Sequence, residues 1–151
     1  MSKTASNSNK AEELSTGQLI RYYRKRAGMT QAELAEEVEM SEPGIRNYEL
    51  GNRMPSKAQL TAIARGLGVE PEALIIYDIN SSREALGLLF QLEDAFGITP
   101  NEDGTLSIDP KAAGAQKMVQ AIQAWHNAKD ELEHGEMSED DYRFWKSSFR
   151  L

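Results

Sequence analysis

Between residues 15 and 78 the apolar residues recur in short runs at spacings of three and four. Leu19, Ile20 and Tyr23 form the first run, and Leu34, Ala35 and Val38 the second. Ile45 and Tyr48 follow, then Leu60, Ile63, Ala64 and Leu67, then Leu74 and Ile75. Such spacing puts each set on one face of a helix. Each run has a start signal. Ser15 with Gln18, Thr30 with Glu33, and Ser56 with Gln59 fit the capping box, in which each side chain satisfies a free backbone N–H. Ser41 can cap a further helix, with Pro43 tolerated in a first turn that needs no intrahelical donor. Gly28, Gly51 and Gly68 stand where segments end, and Pro71 opens a last short helix from Glu72 to about Tyr77. The pattern predicts a bundle of five helices with one core.

The second half reads differently. Ser81 with Glu84 starts a helix over 83–96 carrying Leu86, Leu88, Leu89, Phe90, Leu92 and Phe96. It is apolar around most of its circumference and must be covered on more than one side. Residues 98–109 contain Pro100, the turn-like Asn-Glu-Asp-Gly at 101–104 and the alternating Thr105-Leu106-Ser107-Ile108, which predict a β-hairpin. Asp109-Pro110 signals a long helix running to His134 and stopped by Gly135, and Ser138 with Asp141 starts a final helix bearing Tyr142, Trp145 and Phe149. The expected fold class is mainly α: a five-helix domain over 15–78, then a small helical domain with a β-hairpin over 79–151. The polar residues 1–14 lack periodicity and read as a flexible tail.

Composition narrows the chemistry. With 40% hydrophobic and 27% charged residues the 151-residue chain is globular in character. It has no cysteine, which excludes a disulfide framework and thiolate metal sites and suits the cytoplasm. No apolar run approaches the roughly 20 residues of a membrane span, and the polar start has no signal-peptide core, so no membrane partner is expected. The net charge of −7 argues against a nucleic-acid partner until it is divided. Residues 1–78 carry 10 Lys+Arg against 11 Asp+Glu (−1), and residues 79–151 carry 7 against 13 (−6). Phosphates are met by local patches, and the balanced half can hold one. His126 and His134 lie eight residues apart and lack the i, i+4 spacing of a metal pair. Neither a GxxxxGK(S/T) phosphate loop nor a GxSxG nucleophile turn occurs. The acidic pairs Glu12-Glu13, Glu36-Glu37 and Asp140-Asp141 are most simply solvated faces or first-turn charges. No catalysis, cofactor or metal is expected.

The informative stretch is 31–50, QAELAEEVEMSEPGIRNYEL. Two helices crossing steeply through a short turn need a small residue where they approach, and Ala35 supplies it. They need apolar anchors, here Leu34, Val38, Ile45 and Tyr48, and a helix start after the turn, here Ser41. The second helix can then lie in the major groove, where base edges present a distinguishable code. This segment resembles the helix-turn-helix of the Cro/CI-type (XRE) repressor family. The flanks share the likeness: Arg24-Lys25-Arg26-Ala27-Gly28-Met29-Thr30-Gln31 before it, then Tyr48-Glu49-Leu50-Gly51-Asn52-Arg53-Met54-Pro55-Ser56 and Leu67-Gly68-Val69 after it. It covers about residues 15–78.

The resemblance implies a lambda-repressor-like domain that binds double-stranded DNA. It implies that Gln31 meets a phosphate and braces the recognition helix. Ser41, Glu42, Pro43, Arg46 and Asn47 would meet base edges or the adjacent backbone. Arg53, Ser56 and Lys57 would meet the second strand's phosphates, helped by helix-terminal N–H groups. Arg24 and Glu49 match an internal salt bridge. The plainer readings are a first-turn polar residue for Gln31 and a solvated charge for Arg46. Asn47 suits bidentate readout of adenine, as Arg46 suits guanine. Glu39 departs from the family, which often has glycine there because the turn wants a left-handed residue. Glu42 is a second departure; its carboxylate could accept from cytosine N4 or repel phosphates.

About seventy residues after the motif make a thin core alone. Pairing with a second copy is the simplest remedy, and two-fold DNA sites call for two reading heads. Leu86, Leu89, Phe90, Phe96, Trp125 and Trp145 are the expected dimer contacts. This half also resembles acidic tails with a Leu-Glu-x-Gly-Glu…Tyr-x-x-Trp pattern that follow the motif in other bacterial regulators. The whole then reads as a bacterial, homodimeric, cytoplasmic transcription regulator of repressor type. Two alternatives use the second half differently. It could sense a small effector near Trp125, Trp145 and Phe149, or bind a protein partner, as in antitoxins and anti-CRISPR proteins, with the motif serving autoregulation.

Overall fold

A computed structural model describes residues 14–151, so the flexible tail read at 1–14 lies, apart from Leu14, outside the described residues. The chain divides into two compact units, Met1–Ile76 and Tyr77–Leu151.

The first unit contains α1 (Thr16–Arg26), α2 (Gln31–Glu37), α3 (Glu42–Glu49) and α4 (Lys57–Leu67), then a single 3-10 turn, Pro71–Leu74. Ser15, Thr30 and Ser56 close complete capping boxes, and the Ser41 hydroxyl accepts the Gly44 N–H with Pro43 in the first turn of α3. Ile20, Leu34, Ile45, Ile63, Val69 and Leu74 are fully buried and make one core from every element. The fifth helix is thus shorter than the expected 72–77. Glu70 supplies no side-chain cap, and the backbone turns extended at Ile75. Leu74 therefore points inward while Ile75 is left 39% exposed rather than in the core. Thr16 Oγ1 donates to the Leu74 carbonyl at 2.8 Å and ties this turn to α1.

Two features set how α3 is held. Gly17, on α1, lies so close to α3 that a β-carbon there would sit 2.2 Å from the Tyr48 carbonyl oxygen and 2.9 Å from that of Glu49. Only a residue without a side chain permits that crossing. Behind α3 a charged network closes the gap. Arg24 donates through Nε to Glu49 Oε1 at 2.5 Å and through Nη2 to Oε2 at 2.9 Å, and its Nη1 donates to the Met29 carbonyl at 2.7 Å. Gln31 Nε2 adds a third donor to Glu49 Oε2 at 2.8 Å. Burial pushes the Glu49 carboxyl up, but the hydrogen bonds from Arg24 and Gln31 and the charges of Arg24 and Arg21 outweigh it and hold the group below the ordinary value. The hydrogen bond to Glu49 in turn raises Arg24.

The second unit contains α5 (Ser82–Phe96), the strands β1 (Ile98–Pro100) and β2 (Leu106–Ile108), α6 (Ala115–Glu133) and α7 (Glu139–Ser148). The strands pair antiparallel, with Ile98 opposite Ile108 and Pro100 opposite Leu106. Asn101 Nδ2 donates to Thr105 Oγ1 and Ser107 Oγ, and Asp103 accepts the Thr105 N–H, which pins the turn. The long helix begins five residues later than the Asp109-Pro110 pair suggests. Asp109 instead closes a local turn: its carboxylate accepts the Lys111 N–H at 2.9 Å and its carbonyl the Ala112 N–H at 3.0 Å. Gly114, with φ +77°, then redirects the chain into α6. In α6 and α7, Trp125 Nε1 donates to the Tyr142 hydroxyl at 2.7 Å, and the Trp145 ring lies between those of Tyr142 and Phe149. Among the described residues of this unit only Ala115, Ala128 and Ser147 are buried, and α5 buries none.

Gly17→Ala should destabilise the protein by roughly 1–3 kcal/mol, although alanine is the better helix former, because α1 and α3 must part. Thermal melting checks it, and an unchanged or higher Tm would refute the close crossing. Arg24→Ala should cost about 3–5 kcal/mol, since Glu49 would be left buried without its partner, while Arg21→Ala should stay within about 0.5 kcal/mol. Because Glu49 is depressed in the fold, its contribution is full above the ordinary carboxylate range and is lost as pH falls through the lower folded value. Denaturant titrations across the acid range should therefore show a flatter acid limb for Glu49→Gln than for the parent, and parallel limbs would count against the network.

Candidate nucleic-acid interface

The approach of α2 to α3 is made by a turn that the backbone hydrogen bonds define completely. The Met40 N–H reaches back to the Ala35 carbonyl at 2.8 Å and the Glu39 N–H to that of Glu36 at 3.2 Å, the two bonds of a Schellman C-cap. Glu39 is the left-handed residue of this cap, with φ +54°, and is the one non-glycine residue with positive φ among those described. The side chain carries a strain on the order of 1 kcal/mol. The turn nevertheless forms, because Leu34, Ala35 and Val38 before it and Ile45 and Tyr48 after it are all buried.

These burials divide α3 into two faces. Ile45, Tyr48 and Glu49 point inward, and Glu42, Pro43, Arg46 and Asn47 are exposed, with Ser41 exposed at the cap. Helical periodicity puts those four outward residues on one side. Arg46 Nη2 donates to Glu42 Oε1 at 2.7 Å, so the basic residue of this face is paired within its own helix. The loop after α3 folds back on its end: the Asn52 and Arg53 N–H groups donate to the Asn47 carbonyl at 3.0 and 3.3 Å, and Asn52 Nδ2 reaches Asn47 Oδ1 at 3.4 Å. Asn52 is a polar contact of Asn47 that the residue pattern did not single out. Only the folded loop brings the two side chains together.

Ser56 and Lys57 are exposed at the start of α4. The Ser41 and Ser56 hydroxyls accept cap N–H groups, which leaves each O–H free to donate outward. Gln31 is placed differently. It is half-buried, and its amide nitrogen is engaged with Glu49, so it braces α3 from α2. The cations Arg46, Arg53 and Lys57 thus fall on α3, the loop and the first turn of α4. On α2, by contrast, Glu33, Glu36 and Glu37 join Glu39 and Arg65 around an open groove of about 660 Å3. The hydrogen bonds from Thr30 hold the Glu33 carboxyl below its ordinary value, so that groove stays acidic. It is the wrong sign for phosphates.

The dimer residues read from sequence fall within the second unit. Leu86, Leu89, Phe90 and Phe96 are 36–48% exposed along α5, and Trp125 is 51% exposed on α6. Trp145 is half-buried in the α7 aromatic row. Among the described residues no group of three His, Cys, Asp or Glu side chains is arranged to hold a metal ion, and no helix is long and apolar enough to cross a membrane.

Residues 20–74 match the helix-turn-helix family. Among solved structures, the P22 c2 repressor protein in complex with a synthetic operator aligns at 30% identity and a TM-score of 0.39, over 40% of this chain and 92% of that one. SinR, described as the master regulator for biofilm formation and solved in complex with DNA, aligns at 30% identity and 0.38, over 39% and 95%. The SinR/SinI protein complex aligns at 20% identity and 0.43, over 75% and 98%. No curated protein sequence matches. Over residues 20–74 the chain carries a helix-turn-helix domain of the XRE type.

Proposed function

We propose that this protein is a sequence-specific transcription regulator of repressor type, working in the bacterial cytoplasm, that binds double-stranded DNA as a homodimer through α3 in the major groove. The observation that carries the DNA reading is the division of α3: its apolar side is locked into the core, and its polar side, from Ser41 to Asn47, is open. Asn47 is the direct reader, its carboxamide suited to the N6/N7 edge of adenine. Arg53, Lys57 and the Ser56 hydroxyl take phosphates and fix the register of α3 in the groove. The domain is near neutral in charge, so most of its affinity for a particular site must come from base contacts rather than from counterion release.

The homodimer reading rests on the second unit. Its described residues enclose no large apolar side chain, yet Leu86, Leu88, Leu89, Phe90, Phe96, Val119, Ile122 and Trp125 all remain more than a third exposed. So many exposed large apolar side chains in one small unit favour a covering partner. The first unit, by contrast, buries its own core and needs no partner to fold.

Selection of bound sites from random duplexes, repeated at two salt concentrations, tests the reading. Asn47→Ala should relax preference at one base position and cost about 1–3 kcal/mol. Arg53→Ala and Lys57→Ala should weaken all duplexes alike and flatten the salt dependence. Unchanged affinity in all three variants would mean that another face meets the DNA. Residues 1–78 alone should stay folded, run as a monomer and bind the selected site far more weakly, since a single head loses the gain from a tethered second one. The full chain should scatter light as a dimer, with recognition helices about 34 Å apart. A full-length monomer at micromolar concentration would replace the homodimer with a different partner on the second unit.

A further inference from the structure

Glu42 and Arg46 stand one helical turn apart on the open side of α3, and their side chains meet at 2.7 Å while remaining 46% and 51% exposed. The acid lies N-terminal to the base, the favoured order for such a pair. An exposed pair of this kind adds little to helix stability. Its consequence lies in where it holds the two groups.

We propose that Glu42 and Arg46 read DNA as one unit, with Glu42 the positioning residue that presents the Arg46 guanidinium to a guanine. This rests on the major-groove reading of α3 given above. A guanidinium carries five N–H donors, and one given to Glu42 leaves four, enough for a bidentate contact with guanine O6 and N7. Arginine is long and flexible, so a side chain already held in place loses less freedom on docking.

Held in place by Arg46, and only then, the carboxylate adds a selection at the same base pair. Its free oxygen offers only lone pairs to the groove. It can accept from the amino group of cytosine or adenine, and it repels the acceptor atoms of thymine and guanine. Four residues along a helix span about 6 Å. The cytosine paired with the guanine under Arg46 shows its amino group in the same groove, so a single G·C pair can satisfy both side chains. The pair also explains how a domain with an acid in its reading face can tolerate phosphates nearby, because the charge is matched within the helix.

The test uses the full-length protein and a duplex that it selects. Affinities are measured for that duplex, for all three substitutions at the base pair whose preference Arg46→Ala abolishes, and for an unrelated duplex. Guanine is the expected base at that position. Glu42→Ala should lower the preference for guanine about tenfold while leaving the unrelated duplex little changed. The double variant should discriminate no worse than Arg46→Ala alone. Glu42→Gln keeps an oxygen for Arg46 and should retain more of the preference than Glu42→Ala. Three results would overturn the proposal: Glu42→Ala tightening all duplexes with preference intact, losses that multiply in the double variant, or no base preference traceable to Arg46. A protein that selects no duplex at all would remove the major-groove reading itself, and this proposal with it.

Discussion

The buried contact between Arg24 and Glu49 sets the position of α3 against α1 and α2. Arg24 belongs to α1, Glu49 ends α3, and Gln31 reaches the same carboxylate from α2, so three helices converge on two oxygen atoms. With eight residues, of which Ile45 and Tyr48 are its buried apolar anchors, α3 has little apolar surface to fix its own rotation. The ion pair supplies a directional constraint that dispersion contacts among Ile45, Tyr48 and their neighbours cannot. Burial makes the carboxylate costly unless all three donors are in place, which is why the arrangement tolerates few alternatives. The glycine at position 17 is the steric side of the same constraint: α1 must come close enough for Arg24 to reach.

The two units solve the problem of burial in opposite ways. The first closes a core drawn from every one of its elements, and the outer face of α3 is left to polar groups. In the second, the apolar residues of α5 outnumber what a hairpin and two helices of the same small unit can cover. Length is not the reason, since the first unit is of about the same length and still closes a core. Rather, α5 is apolar around most of its circumference, and such a helix must be covered on more than one side. An apolar face left open in a chain with a net charge of −7 is compatible with solubility when a partner covers it, and the acid concentrated in the second half limits unspecific contacts.

Local strain and local charge mark where the turn before α3 and its outer face differ from the expected pattern. Glu39 occupies a left-handed position that glycine would fill without cost, and the buried anchors on both sides of the turn hold it there. Glu42 places an acid on a face that should attract phosphate, and its pairing with Arg46 neutralises it. In both cases the neighbours, not the residue itself, decide the outcome.

Much of this was determined by the sequence alone. Capping boxes at Ser15, Thr30, Ser56 and Ser81 and the spacing of apolar residues set the helices, because both act within a few residues along the chain. The need for a left-handed turn at Glu39, and the Arg24–Glu49 partnership implied by family resemblance, were also legible there. The signal for Gly17 was present too, as a glycine inside a helical stretch, but only the crossing of α1 and α3 shows what it avoids. The late start of α6 was not legible. Asp109-Pro110 opens a turn as readily as a helix, and the left-handed Gly114 selects the turn. Nor could periodicity show that Gln31 faces Glu49, that Asn52 touches Asn47 or that Arg46 is paired with Glu42 rather than with solvent. Those contacts depend on rotamers and on how separate elements meet. Local sequence rules govern the backbone within one turn, and the tertiary structure decides which polar groups find each other across it.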